Sequence, residues 1–355
     1  MESEGLWHRR CLCVILIYVT PSPTGLEIAQ KRESLFWANM NYPKVSIIIL
    51  NLNGLDDTVE CLQSLKKITY PNYEVIVVDN GSTGDDARVL KEKFGDYIHL
   101  IQNDKNHGFA EGNNIGIRYA LNKYHPDYFL LLNNDTVVDS KFLTEMVTVA
   151  GTNTAIGIAG AKLYYYGNPN QLQSVWGKID LWRGRVIPTP KMLSDKIKSV
   201  KLDKGQYDHI AEVDCVIGCC FLVKQSVLEN IGLLDESYFC YWEETDYCMR
   251  AKKTGFRIVY APKAKVWHKL GQSVKKVPGL ARYYMTRNRF KFMKKHATRW
   301  QYRCFLIYFF GFYFWLATGY YLIYLHSLNS LSSFYHGVWD GLFNSDSGAK
   351  LYIKD

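Results

Sequence analysis

The sequence predicts an α/β domain on a mostly parallel sheet with helices on both faces, followed by a C-terminal hydrophobic helical segment. Three observations carry this. Continuous β-branched runs, "VSIIIL" (45–50) and the start of "YEVIVVDNGS" (73–82), alternate with stretches of helical period, as parallel strands covered on both faces do. The runs end in polar turn residues, where α/β sheets bind ligands. Residues 305–325 are 21 uncharged positions, long enough for a membrane-length helix at about 1.5 Å per residue.

The elements follow in order. After "VSIIIL", the break "NLNG" (51–54) leads to "DDTVECLQSLKKI" (56–68), where Val59, Leu62 and Leu65 keep a helical period. The second strand is followed by a helix around 85–94 and a strand near 97–101. "GFAEGNNIGIRYAL" (108–121) is a Gly/Asn-rich loop entering a helix, and "DYFLLLNNDT" (127–136) is another buried strand with a polar end. Residues 155–235 are less regular. "VWGKIDLWRGRVIP" (175–188) has strand composition around a turn at Gly184, and "VDCVIGCCFLVKQSVLENIGLLDE" (213–236) reads as strand, Gly-Cys turn, strand, helix and Gly stop. "EETDYCMRAKKTG" (243–255) has acids first, bases last and a closing Gly, which suits the helix dipole. "FRIVYAP" and "AKVWHK" read as two short strands.

The 355 residues divide into an N-terminal extension (1–42), a catalytic-sized α/β domain (43–275) and a basic, aromatic tail (276–355). With 48% apolar residues, a large core is available and global disorder is excluded. Net charge is +9, yet Tyr247–Trp339 holds 17 Lys and Arg and no acid, so +9 less +17 leaves −8 elsewhere. Such a tail suits an anionic surface. Its aromatics lie in an apolar run after the charges, which fits lipid and not base stacking, so no nucleic-acid partner is expected. Arg299 and Arg303 precede the run and place it at the cytoplasmic face of a membrane, as a span or as an in-plane interfacial helix. The nine cysteines show no C-x-x-C spacing, and free thiols in a reducing compartment are expected. "CLCVILIYVT" (11–20) is too short to span a membrane, and the domain proper begins near "MNYPKVSIII".

Asp79, Asn80, Asn133, Asn134 and Asp135 should gather along one sheet edge. If the ligand is an activated sugar, its departing diphosphate needs a divalent cation, whose remaining oxygen ligands the phosphates supply. Asp135 is then a sensible metal ligand, Asp79 a hydrogen-bonding partner for ribose or base, and a carboxylate elsewhere the base for the acceptor hydroxyl. Asn51 and Asn53 after the first strand, and Gly108 and Asn113 in the Gly/Asn-rich loop, are further donor-binding candidates.

"VSIIILNLNG", "EVIVVDNGSTGD", "NHGFAEGNNIGI", "LLLNNDT", "GCCFLVKQSVLENIGLLDESYF", "YWEETDYCMRAKKTGFRIVYAPKAKVWHK" and "MTRNRFKF" occur in this order. Together they resemble family 2 glycosyltransferases, of the subgroup with bacterial rhamnosyl- and galactofuranosyltransferases, over about residues 43–290. The resemblance implies a GT-A fold and an inverting transferase taking a nucleotide-sugar donor, Mg²⁺ or Mn²⁺, and a glycan or lipid-linked acceptor. Rhamnose is the first expectation for the sugar. It implies that Asp79 binds the nucleoside and that Asn133-Asn134-Asp135 is the metal motif, with Asp135 as its main carboxylate. His268 then completes the metal or diphosphate site. Glu244, the second of the paired acids, is the base, while Glu243 and Asp246 orient the acceptor or hold the loop. Tyr241 and Trp242 could stack on the acceptor sugar. Arg250 is placed equally by a phosphate contact or by a pair with Asp246, and Arg287 and Asn288 by phosphates or a solvated helix face.

Rival readings fit less well. A nicotinamide dehydrogenase needs G-x-G-x-x-G where this chain has "NLNGLDDT". A non-catalytic adaptor would not need Asp135 or the acid pair, and a polyprenyl-phosphate sugar synthase would not need a strong base.

Overall fold

The computed structural model describes residues 42–190, 202–270 and 279–349. Of the expected extension only Tyr42 falls among them, and the expected boundary at 275/276 lies outside them. In chain order the elements are β1 (Val45–Asn51), α1 (Leu55–Leu65), β2 (Tyr73–Asp79), α2 (Asp86–Phe94), β3 (His99–Gln102), α3 (Gly108–Lys123), β4 (Tyr128–Asn133), β5 (Thr136–Val138), α4 (Phe142–Gly151), β6 (Ile156–Tyr165) and β7 (Asn168–Ser174). Then come β8 (Trp176–Asp180), β9 (Arg185–Thr189), β10 (Ala211–Glu212), β11 (Cys220–Lys224), α5 (Gln225–Ile231), α6 (Glu243–Lys253), β12 (Arg257–His268) and α7 (Leu280–His296). The helix Arg299–Tyr324 (α8) and α9 (Leu328–Phe343) close the chain.

Ten strands form one sheet in the order β10-β12-β6-β11-β4-β1-β2-β3, with β5 on β12 and β7 on β6. β1 runs parallel to both β2 and β4, and β2 to β3. Their side chains, Ile47–Ile49, Val75–Val78 and Leu130–Leu132, are buried, because helices cover both faces of the sheet. Strand order reverses at β1, and the registers set Asn51 opposite Asp79 and Leu50 opposite Asn133. Three polar strand ends therefore meet at one crevice, as expected of a doubly wound sheet.

The second half departs from the strict alternation read in the sequence. β11 is antiparallel to β4 and β6, so the sheet is mixed. β6 is ten residues long, although "IGIAGAKLYY" lacks the β-branched density that would mark it. The two short strands expected at 256–269 are one strand, β12, whose register shifts between Ala261 and Lys265. Pro262 lies in that interval and has no N–H for the ladder, so the strand bulges without ending. Residues 213–219 form no strand beyond an isolated bridge at Cys215, and β11 supplies only the second of the two strands expected there. The turn expected at Gly184 closes the β8–β9 hairpin, where Gly184 has φ +56.

The tail is helical and packs on α7. Along α8 the buried positions are Phe305, Phe309, Ala317 and Tyr321, on a four-residue spacing. An α-helix with about 3.6 residues per turn would rotate such a stripe away from its partner. Wider π-helical turns at Phe309–Tyr313 and Tyr320–Tyr324 offset the drift. Phe309 meets Phe290 at 4.7 Å between ring centroids, and Arg282 stands 5.4 Å over the ring of Tyr321. α8 thus lies along α7 for most of its length. Its other side exposes Ile307, Phe312, Trp315, Leu316 and Ile323, and α9 adds exposed Leu328, Trp339 and Phe343. Among the described residues α8 alone is long and apolar enough to cross a membrane.

Candidate active site

The crevice at the strand ends is a closed polar network. Asn51 Nδ2 donates to Asp79 Oδ1 at 2.7 Å and to Asp86 Oδ2 at 3.0 Å, and Asn51 Oδ1 accepts from Thr58 at 2.7 Å. Ser82 donates to Asp79 at 2.5 Å, and Asn134 donates to Thr58 at 2.9 Å. Asn53, at φ +49, accepts from the Thr83 amide at 2.8 Å. The structure therefore brings together Asn51, Asn53, Asp79 and Asn134, and adds Thr58, Ser82 and Asp86. These three lack a sequence signal of their own, since Ser, Thr and Asp after a strand also cap helices.

Other expected donor residues serve the scaffold. Asn80 donates to Asn106 and the Gly108 carbonyl and accepts from Asn103. Asn113 donates to the Phe109 carbonyl at 2.8 Å. Gly108 has φ +82, and a Cβ there would fall 2.5 Å from the Phe239 ring. The N-terminal amides of α3, Phe109 and Ala110, both donate to the Phe239 carbonyl. That helix end is thus capped by the chain itself and not left open to a donor. Arg250 has its alternatives resolved: it pairs with Asp246 at 2.8 Å and donates to the Ile231 and Leu233 carbonyls.

Asp135 and His268 face each other where β12 runs beside the turn after β4. His268 pairs with Thr136 across the sheet, and Nε2 lies 3.1 Å from Asp135 Oδ1. Gln173 from β7 accepts from His268 Nδ1 at 3.1 Å, which fixes the ring and points Nε2 at the acid. Gln173 was not singled out in the sequence, because nothing local links β7 to β12. Burial alone would lower the imidazole pKa, but Cys219 and the Asp135 carboxylate push it up to about 10. His268 Nε2 has the Asp135 carboxylate as its neighbour, and nearby Asn133 Oδ1 is buried without a hydrogen-bond partner. One carboxylate, one oriented imidazole and a spare amide oxygen fit a hard divalent cation whose other ligands come from phosphates. No group of three or more His, Cys, Asp or Glu suited to a metal occurs among the described residues, so the protein alone offers an incomplete shell.

The acid cluster at 243–246 is divided among three environments. Glu243 is buried with Oε2 unpartnered, and burial followed by the nearby Glu244 raises its pKa well above the usual range. Asp246 is 0% exposed and accepts from Arg250, His296 at 2.7 Å and Tyr238 at 3.2 Å, with Lys295 at 2.8 Å. Burial opposes ionisation, but these partners hold its pKa below the ordinary Asp value. Its contribution to stability is therefore present above that ordinary value and is lost as pH falls through the lowered one. Asp246 locks α6 to α7 and does not reach the acceptor side. Glu244 lines a cavity of about 440 Å³ together with Val216, Ile217, Tyr241 and Trp242. Its pKa is also raised, by burial first, with hydrogen bonds from the Glu244 and Thr245 amides and the Thr245 hydroxyl opposing.

A short turn joins this cavity to the Asp135–His268 pair. A Cβ on Gly218 would sit 3.4 Å from Glu244 Cβ, while the next residue, Cys219, receives the Asn133 amide on its carbonyl at 2.9 Å. Glu244 and the metal motif thus flank consecutive residues, whose Cα atoms are about 3.8 Å apart.

The loop before α6 is strained. Phe239, Tyr241 and Trp242 have φ of +63, +67 and +76. Left-handed backbone is costly for bulky residues and needs a surrounding structure to impose it. Asn288 supplies it, donating to the Tyr238, Cys240 and Tyr241 carbonyls, each at 2.8 Å. Arg287 donates to Ser237 and Tyr238 carbonyls and pairs with Asp346. Both expectations for this pair, phosphate contact and solvated face, give way to a clamp on the loop that presents Tyr241, Trp242 and Glu244. Trp242 is also tied to α7, its Nε1 donating to the Met285 carbonyl at 3.2 Å.

Comparisons with known proteins bear on the family and the fold. The family model described as "Glycosyltransferase like family 2" matches residues 43–303. The low-salt glycan biosynthesis hexosyltransferase Agl10 of Haloferax volcanii is 31% identical over 60% of this chain, and the match covers 63% of that protein. The dTDP-rhamnosyl transferase RfbF of Shigella flexneri is 26% identical, over 69% of this chain and 76% of its own. Among solved structures, the mannosyltransferase PcManGT of Pyrobaculum calidifontis, in complex with GDP-Man and Mn²⁺, superposes with a TM-score of 0.53 at 14% identity, covering 90% of this chain and 95% of its own. S. aureus TarS 1-349 in complex with UDP-GlcNAc gives 0.52 at 16% identity, over 84% and 80%. At such identities the likeness is one of fold, and it is the GT-A fold.

Proposed function

Because the chain belongs to glycosyltransferase-like family 2, we propose that it inverts a sugar centre while moving that sugar from a nucleoside-diphosphate donor to a hydroxyl of a glycan or lipid-linked acceptor. The observation that carries this reading is the Gly218–Cys219 turn, which sets Glu244 on one side and the Asp135–His268 pair on the other. Asp79 and its network hold the nucleoside. Asp135 and His268 hold Mg²⁺ or Mn²⁺, with Asn133 Oδ1 within the same turn. When bound, the cation supplies charge stabilisation for the departing diphosphate. Glu244 takes the proton of the acceptor hydroxyl as that oxygen attacks the anomeric carbon from the face away from the diphosphate. Tyr241 and Trp242 border the acceptor, and the Asn288 clamp holds them. Rhamnose from a thymidine diphosphate donor is the sugar favoured, supported by the similarity to RfbF.

The experiment is release of nucleoside diphosphate by the full chain across thymidine-, uridine- and guanosine-diphosphate sugars, with Mn²⁺ or Mg²⁺. Release from one donor class, increased by an acceptor glycan, is expected. No release from any of them with either ion would remove the reading.

The basic residues before the apolar helix and its exposed aromatics support a reading in which the enzyme associates with an anionic membrane surface, at the cytoplasmic face if the arginines follow the positive-inside pattern. A helix that packs along α7 and exposes aromatics on its far side favours lying in the interface over crossing. The full chain should sediment with vesicles containing anionic lipid. Replacing Ile307, Phe312 and Trp315 with Ser should release it without lowering donor hydrolysis. Unchanged sedimentation of that variant would defeat the membrane assignment.

A further inference from the structure

The cavity that holds Glu244 also holds a cluster of arginines, two of which have no carboxylate partner among the described residues. Arg185, Arg282 and Arg289 line it, from β9 and from two turns of α7. Arg289 is only 8% exposed. Its Nη2 donates to the Arg183 carbonyl at 2.6 Å and its Nε has no partner. Among the described residues no carboxylate lies within ion-pair distance of Arg289 or Arg282, while Arg185 shares Asp180 at 3.2 Å. Aromatic rings hold the guanidinium of Arg289 instead. It stands 4.5 Å over Tyr313, 5.2 Å over Phe309 and 5.4 Å over Phe305. Ring faces attract a cation but leave its charge in place. Burial accordingly lowers the pKa of Arg289. A buried, unpaired cation is costly, and a protein that keeps one in a cavity has an anion to offset it. Among the described residues Glu244 is the only acid lining the cavity, and it makes no ion pair with the arginines.

We infer that Arg289, Arg282 and Arg185 form an anion subsite for the phosphate or diphosphate of an amphiphilic acceptor. This rests on the transferase reading above and specifies its acceptor. The cavity is shared by the hairpin, α7 and the apolar helix, since Tyr308, Phe309, Tyr313 and Tyr321 of α8 line it too. One ligand therefore finds a base at Glu244, a positive subsite at the arginines and an aromatic wall continuous with the exposed apolar face. A sugar joined through phosphate to a hydrocarbon tail has those three chemistries in that order: hydroxyl, anion, apolar chain. Guanidinium forks suit phosphate oxygens.

Binding to the full chain in one detergent separates the sources of the anion. The probes are farnesyl diphosphate, farnesol, and uridine and thymidine diphosphates with Mn²⁺. Farnesyl diphosphate should bind at least about tenfold more tightly than farnesol, since hydrogen bonds to charged groups are the strong ones. Arg282→Gln and Arg289→Gln should each weaken it about tenfold and leave the nucleoside diphosphates unchanged. Arg282 is exposed, so its variant keeps the test informative if Arg289→Gln fails to fold. Equal binding of farnesol and farnesyl diphosphate overturns the proposal, as does unaltered farnesyl diphosphate binding in a folded variant. A loss of nucleoside diphosphate affinity instead assigns the arginines to the donor and also overturns it. Failure of the transferase reading looks different: the wild type then releases no nucleoside diphosphate, whatever it does with farnesyl diphosphate.

Discussion

Glu244→Gln is expected to lower kcat by about 10²–10⁴ while donor affinity is kept, which is the usual loss when a general base is removed. Of the three crowded acids, Glu244 alone lines the cavity, with Tyr241 and Trp242 as neighbours. Gln has the same shape but cannot take the proton of a hydroxyl. In the proposed function the donor is held elsewhere, by Asp79 and the Asp135–His268 pair, so its affinity should not follow. Glu243→Gln should change kcat much less. Glu243 is buried and does not line the cavity, and burial with the neighbouring Glu244 disfavours its charged form, so Gln, which has its shape, replaces it with little change at the reacting groups. Asp246→Asn should act on stability, since it breaks a buried cluster with Arg250, Lys295 and His296, at a cost of about 3–5 kcal/mol. The pH profile gives an independent check. A base must be ionised, and the Glu244 pKa is raised, so kcat should climb with pH through a limb above the ordinary Glu value, and the Gln variant should lose that limb. If Glu243→Gln loses kcat and Glu244→Gln does not, the base lies one residue earlier.

How much of this the sequence disclosed follows from how local each signal is. The strands β1, β2 and β4 are legible because all of their residues but Leu50, Tyr73, Glu74 and Asn133 are buried, so their composition has one main cause. Asn51, Asp79 and Asn133 are legible for the same reason, as strand ends whose registers a parallel sheet aligns. β6 was not, because its small residues answer to what packs above them. Charge spacing alone could not separate Glu243, Glu244 and Asp246. Their roles are set by α7, which brings His296 and Lys295 to one acid only. Arg287 and Asn288 read as exposed or phosphate-binding because "MTRNRFKF" gives no sign of the carbonyls of residues 237–241. Gln173 and Arg289 depend on contacts across 95 and 106 positions, which no local pattern encodes.

Asp135→Ala is expected to abolish both transfer and hydrolysis of the donor. Two effects combine. The first is loss of a carboxylate from a site that offers a cation only one other oriented ligand, His268, so little of the shell remains. The second is that His268 loses the acid it faces, and its raised pKa should fall because the Asp135 contribution is gone. Removing one group that stabilises developing charge typically costs about 10²–10³ in kcat, and removing the cation with it costs more. Asp135→Asn keeps the shape and should be nearly as inactive, which separates charge from packing. Gln173→Leu should be milder: it leaves both ligands but frees the imidazole to turn, and outer partners of this type are worth about 10–100-fold in metal affinity. Thermal unfolding supplies a readout apart from activity. Mn²⁺ with nucleoside diphosphate should raise the Tm of the wild type, because a ligand that binds only the folded state stabilises it. It should not raise that of Asp135→Ala, and Gln173→Leu should need more Mn²⁺ for the same shift. Full activity of the wild type in excess chelator, or an undiminished Mn²⁺-dependent shift in Asp135→Ala, would take the metal away from Asp135 and leave its pairing with His268 as a structural contact.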